Sequence, residues 1–312
     1  MTLFKLLLSA VITLIFYCSV NAKSFDYDLK PIKVAKDTYI FVGKTNDFSF
    51  SNGGNIVNTS FIVSSKGVIV IDTGPSLRYG QQMKQAIEKI TNKKIMAVYL
   101  THHHPDHFLG NQAFSDVPIY ALAGTLSNIQ NEGAAFADNL YLMVGDWMRG
   151  TDVYLPSHKI TQGIYSVGDH RLEMLAYEGH TSSDMAIFDH TTGVLFAGDL
   201  VFHKRTLTTP HANLKQWQAA ISKLSGLPFK VLVPGHGDIS YDKKPLLAVS
   251  DYLTWLDAVL NTAADEGLSM METMAIKLPE RFKFNSLLHE EFSRSVIHLY
   301  QGYENVTFKT VN

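Results

Sequence analysis

The residues best suited to chemistry fall in one run, Thr101-His102-His103-His104-Pro105-Asp106-His107, which puts four imidazoles and a carboxylate into six positions. Imidazole nitrogen and carboxylate oxygen are the donors a divalent ion such as zinc takes when no thiolate is offered. In an extended loop alternate side chains face one side, so His102 and His104 can share one ion. Asp106 and His107, past the turn that Pro105 imposes, can hold a second nearby. His103, between them, is expected to point away and serve as a structural histidine or as a support behind the ligands. So many polar groups beside an apolar strand would be costly unless something satisfied them, and the bland alternative is a solvated His-rich loop.

Four donors leave two ions under-coordinated, so more His or Asp are expected at other strand ends. His180 in Gly179-His180-Thr181, Asp199 in Gly198-Asp199 and His236 in Gly235-His236-Gly237 each follow an apolar run and sit among small residues. Singly, each reads as an ordinary turn; in this order and together they read as ligands. A water shared by two such cations loses its proton near neutral pH, which supplies a hydroxide nucleophile without a protein base. Asp106 is near enough in sequence to pass a proton.

Other function classes are weakened by composition. A net charge of -2 with no basic tract gives no reason to expect nucleic acid or an anionic membrane as partner. The single cysteine, Cys18, rules out a disulfide framework, and it lies in a segment with the form of a secretory signal. Residues 1–22 carry Lys5, an apolar run and the ending Val20-Asn21-Ala22. The run is shorter than the ~20 residues of a membrane span and no basic stop-transfer cluster follows it. Phe16 and Tyr17 are too bulky for a lipidation box at Cys18. A secreted or periplasmic chain without a stable membrane anchor, and with no thiol after cleavage, is the expectation.

Several elements must position the donors. Hairpin strands are expected at 39–42, 56–64 and 68–72, then a helix ending near 91, then a buried strand at 95–100 that delivers the His-rich loop. Residues 124–148 read as a helical insertion able to roof a site. Strands follow at 171–177, 185–189, 194–197 and 231–233, with a helix at 214–224. Leu246, Val249, Leu253, Leu256 and Leu260 mark an amphipathic helix over 245–266, and more helix is expected at 287–303. No linker cuts the chain from about residue 30, so it reads as one domain with a helical C-terminal extension that could equally be a dimerisation surface.

The H-x-H-x-D-H loop, the later His180, Asp199 and His236, and the early Asp72 of Ile71-Asp72-Thr73-Gly74 together resemble the metallo-β-lactamase superfamily over residues 38 to 240. That resemblance implies an α/β fold, an αβ/βα four-layer sandwich with metals at one sheet edge. It divides the chain into a leader (1–22), a hydrolase domain (23–240) and a helical extension packed on it (241–312). It implies two zinc ions, with iron or manganese also suited to the donors. His102, His104 and His180 would bind the first, Asp106, His107 and His236 the second, and Asp199 would bridge. Asp106 and Asp199 would be the catalytic carboxylates, Asp72 would steady the ligand loop, and Asp184 would cap its turn or orient His180.

Within the superfamily, the β-lactamases proper place Cys or Ser where this chain has Asp199, and the flavin-linked oxygen reductases place Glu at the position of His104. Nucleases of the superfamily bring extra domains or basic exosites. Glyoxalase II-type thioesterases share the loop, but a basic C-terminal patch for glutathione is not evident. Segments 52–59, 108–112, 145–150 and 197–203 resemble the quinoprotein relay system zinc metallohydrolases, which implies a neighbourhood rather than a substrate.

The expectation is a secreted binuclear zinc hydrolase of an ester-, thioester- or amide-like bond in a small-molecule substrate, working beside periplasmic quinoprotein systems. The alternatives are a glyoxalase II-like thioesterase, a β-lactamase, and a non-catalytic metal-binding accessory protein. A quinoprotein partner or a homodimer is compatible with the helices. Asn55, in a Gly-rich hairpin, and His203, four residues after Asp199, are candidate substrate contacts. Trp147 and Met148 are read as core packing rather than a wall over the metals.

Overall fold

The computed structural model describes residues 25–311; the leader expected at 1–22, with Lys5 and Cys18, lies outside them. Among the described residues two sheets carry the fold. The first is ordered β1 (Ile32–Ala35), β2 (Thr38–Phe41), β3 (Thr59–Val63), β4 (Val68–Ile71), β5 (Ile95–Tyr99), β6 (Ile119–Ala121), β7 (His158–Lys159). Its first four strands form an antiparallel meander, and β4 through β7 run parallel. The second contains β8 (Gly163–Val167), β9 (His170–Tyr177), β10 (Asp184–Asp189), β11 (Val194–His203) and β12 (Val231–Gly237) in order 12-11-10-9-8, antiparallel except for the β11/β12 pair.

Strand β4 shows why layers form. Val-Ile-Val-Ile has no polar alternation because both of its faces are buried. Ile69 and Ile71 join Ala97, Leu172, Met174, Ile187 and Phe196 between the sheets. Val68 and Val70 join Met83 and Ile87 of helix α1 (Leu77–Glu88) on the outer face. The second sheet is covered in turn by α4 (Leu214–Ser225), α5 (Lys244–Asp265) and α7 (Leu288–Val311), through Trp217, Ile221, Leu253, Leu256, Phe292 and Val296. Helix, sheet, sheet and helix therefore stack as the four layers expected, and the C-terminal helices supply part of the last layer. The remaining helices are the single turn α2 (Pro105–Phe108), the long α3 (Ala123–Val144) and the short α6 (Met270–Met274). No helix among the described residues is long and apolar enough to cross a membrane.

Two expected boundaries move. β11 continues to His203 and β12 to Gly237, so Asp199 and His236 lie inside paired strands rather than in turns beyond them. The register of the β11/β12 pair slips at Gly198, whose φ of 52° lies in the left-handed region. This bulge aims the neighbouring side chain out of the regular pleat. Gly235 faces it so closely that a Cβ there would collide with the Asp199 carboxylate. Glycines that read as turn signals are therefore making room for a side chain.

Candidate metal centre

The site is assembled where β4 and β5 end beside β11 and β12. Asp72, just past β4, adopts a left-handed backbone with φ 57°. Its Oδ1 accepts the Thr101 amide at 2.8 Å, and its Oδ2 accepts both the Thr101 hydroxyl and His107 Nδ1 at 2.8 Å. With its proton committed to Asp72, the Thr101 hydroxyl accepts from His102 Nδ1 at 3.0 Å. His236 Nδ1 donates to the Ile56 carbonyl at 2.8 Å. In His102, His107 and His236 a proton is thereby held on Nδ1 and Nε2 is turned toward the centre. Pro105 opens α2 at its first position, where no backbone N–H is needed, and α2 carries Asp106 and His107.

The donors converge in two groups. Ligand atoms of His102, His104, His180 and Asp199 lie within 4.8 Å of one another, as do those of Asp106, His107 and His236. Asp199 stands between them: Oδ2 is 3.7 Å from His102 Nε2, 3.3 Å from His180 Nε2 and 3.1 Å from His236 Nε2, while Oδ1 is 3.1 Å from His107 Nε2. Asp106 Oδ2 lies 3.4 Å from His236 Nε2 and 3.9 Å from His107 Nε2.

Electrostatics match this donor set. Burial holds His102 and His104 well below the ordinary histidine value, so they are neutral, the form that ligates. At His107 burial opposes protonation, but the charges of Asp199, Asp72 and Asp106 outweigh it and hold the ring well above that value, so its Nε2 becomes a donor only where a cation takes the place of that proton. Burial likewise opposes ionisation of Asp199, yet His236, His107, His102 and His180 keep it well below the carboxylate range. Burial pushes Asp184 up to about 6, against His180 and the hydrogen bonds from the Thr181 amide and hydroxyl that fix the His180 turn. His102 Nε2, His107 Nε2, Asp106 Oδ2 and Asp199 Oδ1 are buried and make no hydrogen bond. Buried polar atoms are nearly always paired, so four orphans facing one place are the signature expected of residues that hold cations.

A cavity of about 390 Å³ opens over the cluster. His104, Asp106, Asp199 and His236 are at its base; Phe136, Leu140 and Met143 of α3 form an apolar wall, so the helical insertion does flank the site. Ile56 lines it, whereas Asn55, expected as a substrate contact, does not. His203 also falls away from the cavity; its Nδ1 donates to the Asp238 carbonyl at 2.7 Å. Trp147 packs on Phe25 and Tyr27 in the core as expected. His103 is buried but does not stand apart from its neighbours, since its ring contacts His104 and His211. Sequence reasoning missed Arg205, His211, Arg294 and His298 in the cavity wall. The spacing of Arg294 and His298, one helical turn apart, was the available signal.

A family model described as the metallo-beta-lactamase superfamily matches residues 52–236. The chain belongs to that superfamily. A linear primary-alkylsulfatase of Pseudomonas sp. is 23% identical over 78% of this chain, and the chain spans only 54% of that relative's length. The metallo-beta-lactamase IND-1 of Chryseobacterium indologenes is 24% identical over 58% of this chain and 72% of its own. The human acyl-coenzyme A thioesterase MBLAC2 is 24% identical over 66% and 81% respectively. Among solved structures, a metallo-beta-lactamase from Pontibacter korlensis superposes with a TM-score of 0.60 at 22% identity, covering 73% of this chain and 99% of that one, which shows the shared fold. The superfamily match stops at β12, so α5 to α7, with Arg294 and His298, lie beyond it.

Proposed function

We propose that this chain is a binuclear metal-dependent hydrolase of an ester-, thioester- or amide-like bond, exported to the periplasm and working beside quinoprotein oxidation. The observation that carries the hydrolase reading is the pair of buried donor groups, joined by Asp199, at the base of an open cavity. In it His102, His104 and His180 would hold one ion and Asp106, His107 and His236 the other, with Asp199 between the two groups of donors. Bound zinc supplies a water acidic enough to ionise near neutral pH and polarises the scissile carbonyl; iron or manganese would suit the same donors.

The protein's own contributions follow from geometry. Asp72 and the Ile56 carbonyl fix the tautomers of His107 and His236. Asp106 reaches the cavity, and its carboxylate oxygen not engaged by an ion would be placed to take up and pass a proton. Phe136, Leu140 and Met143 give the cavity an apolar wall against which the non-reacting part of a substrate can pack. Export and the quinoprotein neighbourhood rest on the form of residues 1–22 and the quoted segments.

Elemental analysis of protein purified without chelator or metal-binding tag, beside Asp199→Ala, tests the reading. Two ions per chain and turnover on a panel of esters, thioesters, alkyl sulfates and lactams are expected. The variant should lose metal and at least ~10³ in rate, roughly 4 kcal/mol of barrier. Two bound ions with no turnover on any member would favour the accessory-protein reading.

A further inference from the structure

Three imidazoles of the centre are oriented by buried partners: His102 by Thr101, His107 by Asp72, His236 by the Ile56 carbonyl. His104 is held differently. Its Nδ1 faces the first donor group, 2.8 Å from His180 Nε2, and its Nε2 lies 2.8 Å from Nδ1 of His211, a side chain 37% exposed at the cavity wall. We propose that His211 is a positioning residue that sets the ring orientation and tautomer of His104, and so tunes one of the two metal positions. The inference rests on the reading of His104 as a ligand.

The proton bookkeeping is closed by the geometry. If the His104 Nδ1 lone pair serves a cation, the ring proton is on Nε2 and is donated to His211 Nδ1. Neutral His211 then carries its own proton on Nε2, which faces Glu132 Oε2 of α3 at 3.6 Å. Phe136, one turn further along α3, sets its ring edge-on against both His104 and His211 and confines the pair laterally. His211 is itself placed from the C-terminal extension: it follows Thr209-Pro210, and the buried Thr209 hydroxyl donates to Ser295 of α7 at 2.7 Å. A carboxylate or carbonyl usually orients a metal-bound histidine, and a neutral imidazole backed by an acid is a weaker, more exposed version of the same device.

The same residues admit a competing arrangement, because donor atoms of His103, His104 and His211 also lie within 4.8 Å of one another. A cation there would need His211 as a ligand. Zinc titration of the full-length mature chain against a chromophoric chelator separates the cases, using wild type, His211→Ala and His211→Asn. The Asn side-chain oxygen can accept the His104 proton, whereas Ala cannot. The expected result is two zinc ions in wild type, with one step weakened roughly 10–100-fold in His211→Ala, the other unchanged, and most of the loss restored in His211→Asn. The absorption of cobalt-substituted protein should change at one position only. Two zinc ions bound equally well by His211→Ala and wild type overturn this proposal alone. A third zinc in wild type that is lost in His211→Ala makes His211 a ligand and overturns it too. Wild type that binds no zinc overturns the hydrolase reading and this proposal with it.

Discussion

Two buried histidine–aspartate clusters involve the second sheet, one at the candidate metal centre and one at its opposite end, and they differ in what they leave over. At the end of β9, His170 donates from Nδ1 to Asp189 Oδ2 at 2.8 Å, and Asp189 also accepts from the Thr191 amide and the Thr192 hydroxyl. Both residues are buried, and neither leaves a fully buried side-chain atom without a hydrogen bond. At the metal centre the residue types and burial are the same, yet His102, His107, Asp106 and Asp199 each keep an unpartnered atom, and these atoms converge. Burial of a titratable pair is thus a structural fact with two meanings. A closed pair is a cross-link between a strand and a turn; an open cluster is a receptor for charge.

The largest effect that tests this contrast is metal removal. Each ion held at about a hundredfold above its dissociation constant adds about 2.7 kcal/mol of stability. Two such ions correspond to a fall in Tm on the order of 10 °C on chelation, followed by calorimetry. Asp199→Ala should show almost no response to chelator. An equal response in both proteins would mean that the open cluster is satisfied by something other than metal.

Next in size is Asp72→Asn. Asn tolerates the left-handed backbone of this position, so the change isolates the hydrogen bonds from backbone strain. It replaces a carboxylate oxygen by an N–H group that cannot accept from Thr101 or His107. Stability should fall by about 1–3 kcal/mol, and metal affinity by roughly 10–100-fold, read by denaturant titration and chelator competition. Loss of stability with unaltered metal binding would reduce Asp72 to a brace between β4 and the loop.

How much of this was legible in the sequence differs between the same parts of the molecule. That these seven residues and Asp72 come together could be read, because metal ligation demands particular residue types and the short loop fixes their spacing. The layers were legible from apolar runs such as Val68–Ile71. The cavity wall was not. Helical period shows that Glu291, Arg294, Ser295 and His298 share one face of α7, but not that this face meets the turn carrying Thr209 and His211. That meeting is decided by how α7 packs on α5 and α6, through contacts remote in sequence. Asn55 and Ile56 show the finer limit: in a chain leaving a turn, which of two neighbours lines a cavity is not set by a strand or helix period.

The smallest effect belongs to the closed pair, and it sharpens the comparison through pH. Burial opposes the charge on His170, but the hydrogen bond and charge of Asp189, with Asp169 and Asp37 nearby, hold it above the ordinary histidine value. Folding therefore favours the protonated ring. Its contribution is complete below about pH 6.5 and is lost as pH rises through the raised value. Asp189 is held below the ordinary carboxylate value despite burial, by His170 and Thr192, so its share is present above about pH 3.8 and lost as pH falls through the lowered value. His170→Gln should cost about 1–3 kcal/mol near pH 6, and the gap to wild type should narrow by about pH 9. Thermal unfolding at both pH values, with metal content measured on the same samples, checks this. Two ions per chain retained in the variant would show that only the cluster with unpaired atoms binds charge. Metal loss in His170→Gln would mean that the two ends of the sheet are coupled and that the distinction drawn from their hydrogen bonds does not hold.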